Sequence, residues 1–135
     1  MYIAGVGDSR AYLIRRDKIE QLTVDHSLAQ ALVEAKTLTP EAARRHRFRN
    51  VLWKYLGSKE VGERPEVKSV RMRTGDRILL STDGLHRVVP DDRILRCMGQ
   101  HADVQKCADA LCRLALESGS RGNVSCIVIE LVENK

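Results

Sequence analysis

The sequence predicts an α+β fold of antiparallel strands layered with helices. Three observations lead there. Short apolar runs bounded by turn residues recur at both ends of the chain, helical apolar periodicity fills the middle and the last third, and the strands follow one another through hairpins rather than regular βαβ units. At 135 residues with 43% hydrophobic content, the chain fits one domain with its own core.

Taken in order, Tyr2 to Val6 is an apolar run ending at Gly7. Ala11 to Ile14 and Ile19 to Thr23 flank the charged turn Arg15-Arg16-Asp17-Lys18, so three strands joined by tight turns are expected. Leu28, Ala31, Leu32 and Ala35 recur at helical spacing behind Ser27, a suitable N-cap. Thr39-Pro40-Glu41 opens a second helix with a hydroxyl cap and a proline in the first turn. Asn50 to Gly57 is read as a short helix stopped by Gly57. Val67 to Met72 and Arg77 to Ser81 are strands on either side of the turn Thr74-Gly75-Asp76. Pro90-Asp91-Asp92 starts a helix with acids where the helix dipole favours them. Val104, Cys107, Ala108, Leu111, Cys112 and Ala115 make one apolar stripe of a longer helix that packs on a sheet. Val124 to Val132 is the last strand, after the loop Ser118 to Gly122.

Composition narrows the function. No apolar run reaches the roughly 18 to 20 residues that cross a bilayer, and the N-terminus lacks a signal-like pattern, so a cytoplasmic protein without a membrane partner is expected. The four cysteines lie in apolar patterns without paired CxxC spacing, which reads as reduced, mostly buried thiols rather than a zinc site. Much of the net charge of +5 comes from Arg44, Arg45, Arg47 and Arg49. That run is either a solvated helix face or a surface for an acidic or phosphorylated partner. No nucleic-acid-reading motif accompanies it, and nucleic acid is the least favoured partner.

Three turn-like stretches border strands and could converge at one end of a sheet: Gly7-Asp8-Ser9-Arg10, Ser81-Thr82-Asp83-Gly84 and Ser120-Arg121-Gly122-Asn123. Carboxylates so placed suit hard cations such as Mg²⁺ or Mn²⁺, which take oxygen ligands and lower the pKa of bound water. Asp before Gly is equally the grammar of an ordinary turn, and for Asp8 or Asp83 alone the turn reading is the stronger.

The ordered set carries more. "VGDSRAYLIRRDKIEQLTVDHSL" (6–28), "LTPEAARRHRFRNVLWKYLG" (38–57), "GDRILLSTDGL" (75–85) and "SRGNVSCIVIEL" (120–131) resemble, in this order, the C-terminal half of the metal-dependent serine/threonine protein phosphatases of type 2C in their bacterial form. The resemblance implies a β-sandwich of antiparallel sheets flanked by helices, of which this chain is a part lacking the N-terminal half. It implies a manganese or magnesium centre to which Asp83 and Asp8 belong, and a flap over about 27–60 that influences substrate choice. It also implies a phosphoprotein substrate or another protein of a kinase pathway as partner. His26 reads as a structural hydrogen bonder.

The sequence departs from the family in three places. The Asp-Gly-x-Gly-Gly motif of the N-terminal half does not occur, Gly122-Asn123 stands where the family has Asp-Asn, and Arg87 stands where it has an acidic or neutral polar residue. Two carboxylates do not balance two dications, so weak or no activity is expected of this chain alone, as the C-terminal part of a phosphatase. The alternative is a catalytically degenerate binding or regulatory module. Half a sandwich also leaves sheet surface exposed, from which self-association is expected.

Overall fold

The computed structural model describes residues 1–57 and 64–133. A four-stranded antiparallel sheet in the order β3-β2-β5-β6 forms its centre, built from β2 (Arg10–Arg15), β3 (Lys18–Gln21), β5 (Arg77–Ser81) and β6 (Cys126–Glu130). A second, two-stranded antiparallel sheet pairs β1 (Tyr2–Gly5) with β4 (Glu66–Ser69). Five helices complete the described residues: α1 (Leu28–Glu34), α2 (Pro40–Arg45), α3 (Asp83–His86), α4 (Asp91–Gln100) and α5 (Val104–Glu117). None is long and apolar enough to cross a membrane.

Strand alternation sorts the core into two sides, because successive side chains leave a strand on opposite faces. Tyr12 and Ile14 of β2 and Leu79 of β5 point to the side covered by α3, α4 and α5, where they meet Leu85, Val89, Ile94, Met98, Cys107, Leu111 and Ala115. Ala11, Leu13 and Ile78 point the other way, to Ile3, Leu22, Val70 and Met72. Tyr12 faces Leu79 and Leu13 faces Ile78 across the ladder, so each face is built from cross-strand pairs. Coverage is uneven. On the edge strand β6, Ile127 is 58% exposed and Ile129 is 45% exposed.

The caps behave as their residue types dictate. Ser27 accepts from the Gln30 amide at 3.2 Å, Thr39 from Ala42 at 3.2 Å, and Asp103 from Lys106 at 2.8 Å. The α5 stripe is buried at Cys107, Leu111 and Ala115. All four cysteines are free thiols, Cys97 and Cys107 buried and Cys112 and Cys126 partly so. Burial pushes the Cys107 thiol up to about 11, and burial together with neighbouring thiols pushes Cys126 up to about 12.

Two expectations need correction and a third is sharpened. First, β1 does not form a hairpin with β2. Gly7 sits at φ +99°, a conformation that turns the chain out of one sheet before β2 starts the other, and β1 pairs instead with β4 from far along the chain. Second, residues 50–57 are not a helix. Leu28 donates to the Val51 carbonyl at 2.8 Å and Trp53 to the His26 carbonyl at 3.0 Å, with Ser27 and Leu52 bridged antiparallel. The backbone groups of 51–53 thus find partners across the chain at 26–28, and no local i→i−4 ladder is needed. Third, the turn-like stretch Ser81-Thr82-Asp83-Gly84 holds the start of a helix, since Asp83 opens the short α3. Residues 58–60 of the expected flap lie outside the described residues.

Candidate functional site

Three chain segments meet at one end of the central sheet. The turn 7–9 leads into β2, the start of α3 follows β5, and the loop 122–125 leads into β6. The last two are stitched together. Thr82 N–H donates to the Ser125 carbonyl at 3.1 Å, Ser125 N–H to Thr82 Oγ1 at 3.0 Å, and Thr82 Oγ1 to the Asn123 carbonyl at 3.2 Å. Gly84 is the residue this approach requires, because a Cβ there would collide with the Asn123 carbonyl oxygen. By contrast a Cβ at Gly122 meets nothing within 4 Å. The sheet end has room for a side chain at 122, and the sequence supplies none.

The turn 7–9 is anchored by His26. Gly7 N–H donates to His26 Nδ1 at 3.0 Å, and His26 N–H donates to the Gly7 carbonyl at 2.9 Å. His26 is 2% exposed and packs edge-on against Trp53, with ring centroids 5.5 Å apart. It is a structural hydrogen bonder, as its setting in the sequence indicated.

Asp8 and Asp83 converge, and the group between them is Arg87. Its Nη2 lies 2.7 Å from Asp8 Oδ2 and its Nη1 lies 2.6 Å from Asp83 Oδ2. The side chains are 20%, 33% and 31% exposed for Asp8, Asp83 and Arg87. The Asp83 pair follows from helix geometry, being i,i+4, whereas the Asp8 pair joins residues 79 apart in sequence. In the sequence Arg87 stood out only as a cation where the family has an acidic or neutral polar residue. In the structure it is the partner of both carboxylates. Charge alone was legible in the sequence, but the long reach to Asp8 was not.

A cleft of about 350 Å³ opens beside this cluster. Asp8, Arg10, Asp25, His86 and Arg87 line it, together with Arg44 and Arg49 of the basic run. Arg10 and Asp25 form a bidentate pair, both contacts 2.8 Å, and Arg10 Nη1 donates to the Tyr12 hydroxyl at 3.0 Å. Burial pushes the Tyr12 phenol up to about 12, against the pull of Arg10. Burial, with Arg10 and Arg87 nearby, pushes the His86 imidazole down to about 3, so it is neutral at pH 7. Ser81 Oγ stands 3.4 Å from His86 Nδ1. Neither His86 nor the Arg10–Asp25 pair was singled out from the sequence. The only available signal was Asp25 directly before the histidine that closes the same turn.

The donor set can be tested against a divalent centre. Among the described residues, no group of three or more His, Cys, Asp or Glu side chains is placed to hold a metal ion. A two-ion hydrolytic site holds its ions about 3.5–4 Å apart and needs several carboxylates to do so. Asp8 and Asp83 with a guanidinium already between them do not fit a two-ion centre.

Comparison with known proteins bears on the fold. The family model described as protein phosphatase 2C matches residues 1–124. The serine/threonine protein phosphatase PstP of Mycobacterium tuberculosis is 38% identical over 128 residues, which is 95% of this chain and 24% of PstP. The protein phosphatase PhpP of Streptococcus pneumoniae is 32% identical over 130 residues, 96% of this chain and 52% of PhpP. The crystal structure of M. tuberculosis PstP matches with a TM-score of 0.90 at 36% identity, covering 98% of this chain and 55% of that one. A structure of the PstP catalytic domain with two manganese ions matches with a TM-score of 0.84 at 35% identity, covering 98% of this chain and 54% of that one. The chain thus spans between a quarter and about half of the length of the curated relatives it matches.

Proposed function

The chain belongs to the protein phosphatase 2C family, and from that premise we propose that it is the C-terminal part of a metal-dependent protein serine/threonine phosphatase. In this reading Asp83 and Asp8 are two ligands of the metal-binding edge, residues 27 to about 60 are the flap within a single partial domain over 1–135, and the chain alone is weakly active or inactive. The observation that carries it is the convergence of Asp8 and Asp83, from two different strand ends, on a single cation. When bound in such an enzyme, Mn²⁺ or Mg²⁺ supplies a water of lowered pKa and a clamp on the phosphoryl group. The complex of PstP with two manganese ions supports Mn²⁺ as the ion. Phosphoproteins of a kinase pathway are the substrates this reading implies, with Arg44 and Arg49 facing the cleft in which a phosphorylated segment would lie.

A second reading, a catalytically degenerate binding or regulatory module, is favoured by two specific features. Arg87 neutralises the carboxylates that a metal would use, and Gly122 offers no side-chain oxygen. Turnover of p-nitrophenyl phosphate with Mn²⁺ tests the weak or absent activity expected in both readings. The chain alone is expected to hydrolyse it weakly or not at all in the first reading, any turnover being lost on Asp83→Ala, and no faster than Asp83→Ala in the second. Rapid metal-dependent turnover that vanishes on Asp83→Ala would show a complete site and overturn both.

The partly covered face of the sheet bears on partners. Ile127 and Ile129, joined by Leu131 at 39% exposed, form an apolar edge that supports self-association of the chain. Sedimentation at increasing concentration should then show assembly that weakens in an Ile127→Lys variant. A monomer at every concentration would rule this out.

A further inference from the structure

The carboxylates that would receive a metal already hold a cation belonging to the chain itself. Arg87 leaves the C-terminal end of α3, one helical turn from Asp83, so its reach to that carboxylate is set by local geometry. The planar guanidinium presents N–H groups along two directions, and the second reaches Asp8 across the sheet end. One oxygen of each aspartate is taken up in this way.

The neighbouring loop shows the complementary change. Gly122 lies two residues before Val124, whose side chain stands beside Gly84, and the space around its missing Cβ is open. Relative to the family pattern noted above, this end of the sheet has one anion fewer at Gly122 and one cation more at Arg87. Three carboxylates facing each other need a multivalent cation, whereas two carboxylates facing a guanidinium are nearly balanced without one.

We propose that Arg87 is a built-in counter-ion occupying the cation position between Asp8 and Asp83, which joins the two strand ends without metal and admits a divalent ion only when displaced. This rests on the reading of Asp8 and Asp83 as the cation-binding edge and deepens it by naming what regulates entry. A divalent ion competes here with a tethered charge that never leaves the site, so its affinity is set by how readily Arg87 swings away into the cleft. Removing the guanidinium frees one oxygen on each aspartate and removes a positive charge from the ion's immediate surroundings.

Mn²⁺ binding, followed by isothermal calorimetry and by the loss of the free-ion electron paramagnetic resonance signal, tests this on the chain, on Arg87→Gln, and on Arg87→Gln combined with Asp83→Asn. Circular dichroism confirms that each variant is folded. Arg87→Gln is expected to bind Mn²⁺ at least tenfold more tightly than the unaltered chain, and the added Asp83→Asn to abolish the gain. The thermal midpoint should respond in parallel: insensitive to Mn²⁺ in the unaltered chain, lowered by Arg87→Gln, and raised again in that variant by Mn²⁺. Equal measurable affinity of the unaltered chain and Arg87→Gln, lost on Asp83→Asn, would overturn the counter-ion role while leaving the cation-binding edge intact. Absence of binding in every folded variant, or binding indifferent to Asp83→Asn, would overturn the edge itself and the proposal with it.

Discussion

Gly84→Ala probes the convergence of segments on which the site depends. Gly84 is buried in the first turn of α3, and its added Cβ would collide with the Asn123 carbonyl oxygen and press on the Asn123 carbonyl carbon and Val124 Cγ2, both at 3.0 Å. The first obstacle is backbone, held by the hydrogen bonds between Thr82 and residues 123–125, so it cannot move away as the end of a flexible side chain would. Overpacking of this kind costs about 1–3 kcal/mol. Displacing the loop weakens one or two hydrogen bonds worth about 1 kcal/mol each. Alanine returns up to about 1 kcal/mol through its higher helix propensity. The net expectation is a destabilisation of about 2 kcal/mol. Urea unfolding followed by circular dichroism measures it, with Gly122→Ala as the control, because a Cβ there meets nothing within 4 Å. Gly84→Ala within about 0.5 kcal/mol of the unaltered chain, or Gly122→Ala equally damaging, would refute the packing of loop against helix described above.

Two predictions concern acid. His86 is held neutral with its pKa down at about 3 against an ordinary 6.5, so between those values the unfolded chain binds a proton that the folded chain refuses. Stability should therefore fall as the pH drops from about 6.5 towards 3, by at most about 1.4 kcal/mol per pH unit. His86→Gln should flatten that slope, and an unchanged slope in the variant would contradict the assignment. Asp76 is the opposite kind of group. The Arg15 guanidinium, in contact at 2.6 and 2.8 Å, holds its carboxyl below the ordinary 3.8, against the cost of its burial, and the Arg73 amide adds to this at 2.7 Å. Its contribution is present above 3.8 and is lost only as pH falls further, through the depressed folded value. Asp76→Asn should remove acid sensitivity in that lower window and leave the slope between about 6.5 and 3.8 untouched, as paired acid titrations of unfolding would reveal.

What could be read from the sequence follows from how local the determining physics is. β5 was expected at Arg77 to Ser81 and stands there, because the turn at Gly75, with φ +83°, and the three apolar residues that follow lie next to each other in the chain. The caps at Ser27 and Thr39 were legible for the same reason. The failures are non-local. Residues 51–53 took their hydrogen bonds from 26–28, and β1 took its partner from β4, where no neighbouring residue announces the pairing. At the candidate site, the sequence singled out Asp8 and Asp83 and the structure brings them together, but the contact of Arg87 with both was not legible. A cation beside a metal repels it, while a cation between two aspartates replaces it, and only the distance to Asp8 distinguishes the cases.

One energetic coupling, between Arg87 and Asp8, decides whether the guanidinium joins the two strand ends. A double-mutant cycle of Arg87→Gln and Asp8→Asn, read by urea unfolding in metal-free buffer, measures it directly. With side chains 31% and 20% exposed, solvent screening limits the interaction, and a favourable coupling of about 0.5–1 kcal/mol that shrinks in high salt is predicted. Strictly additive effects of the two substitutions would contradict it.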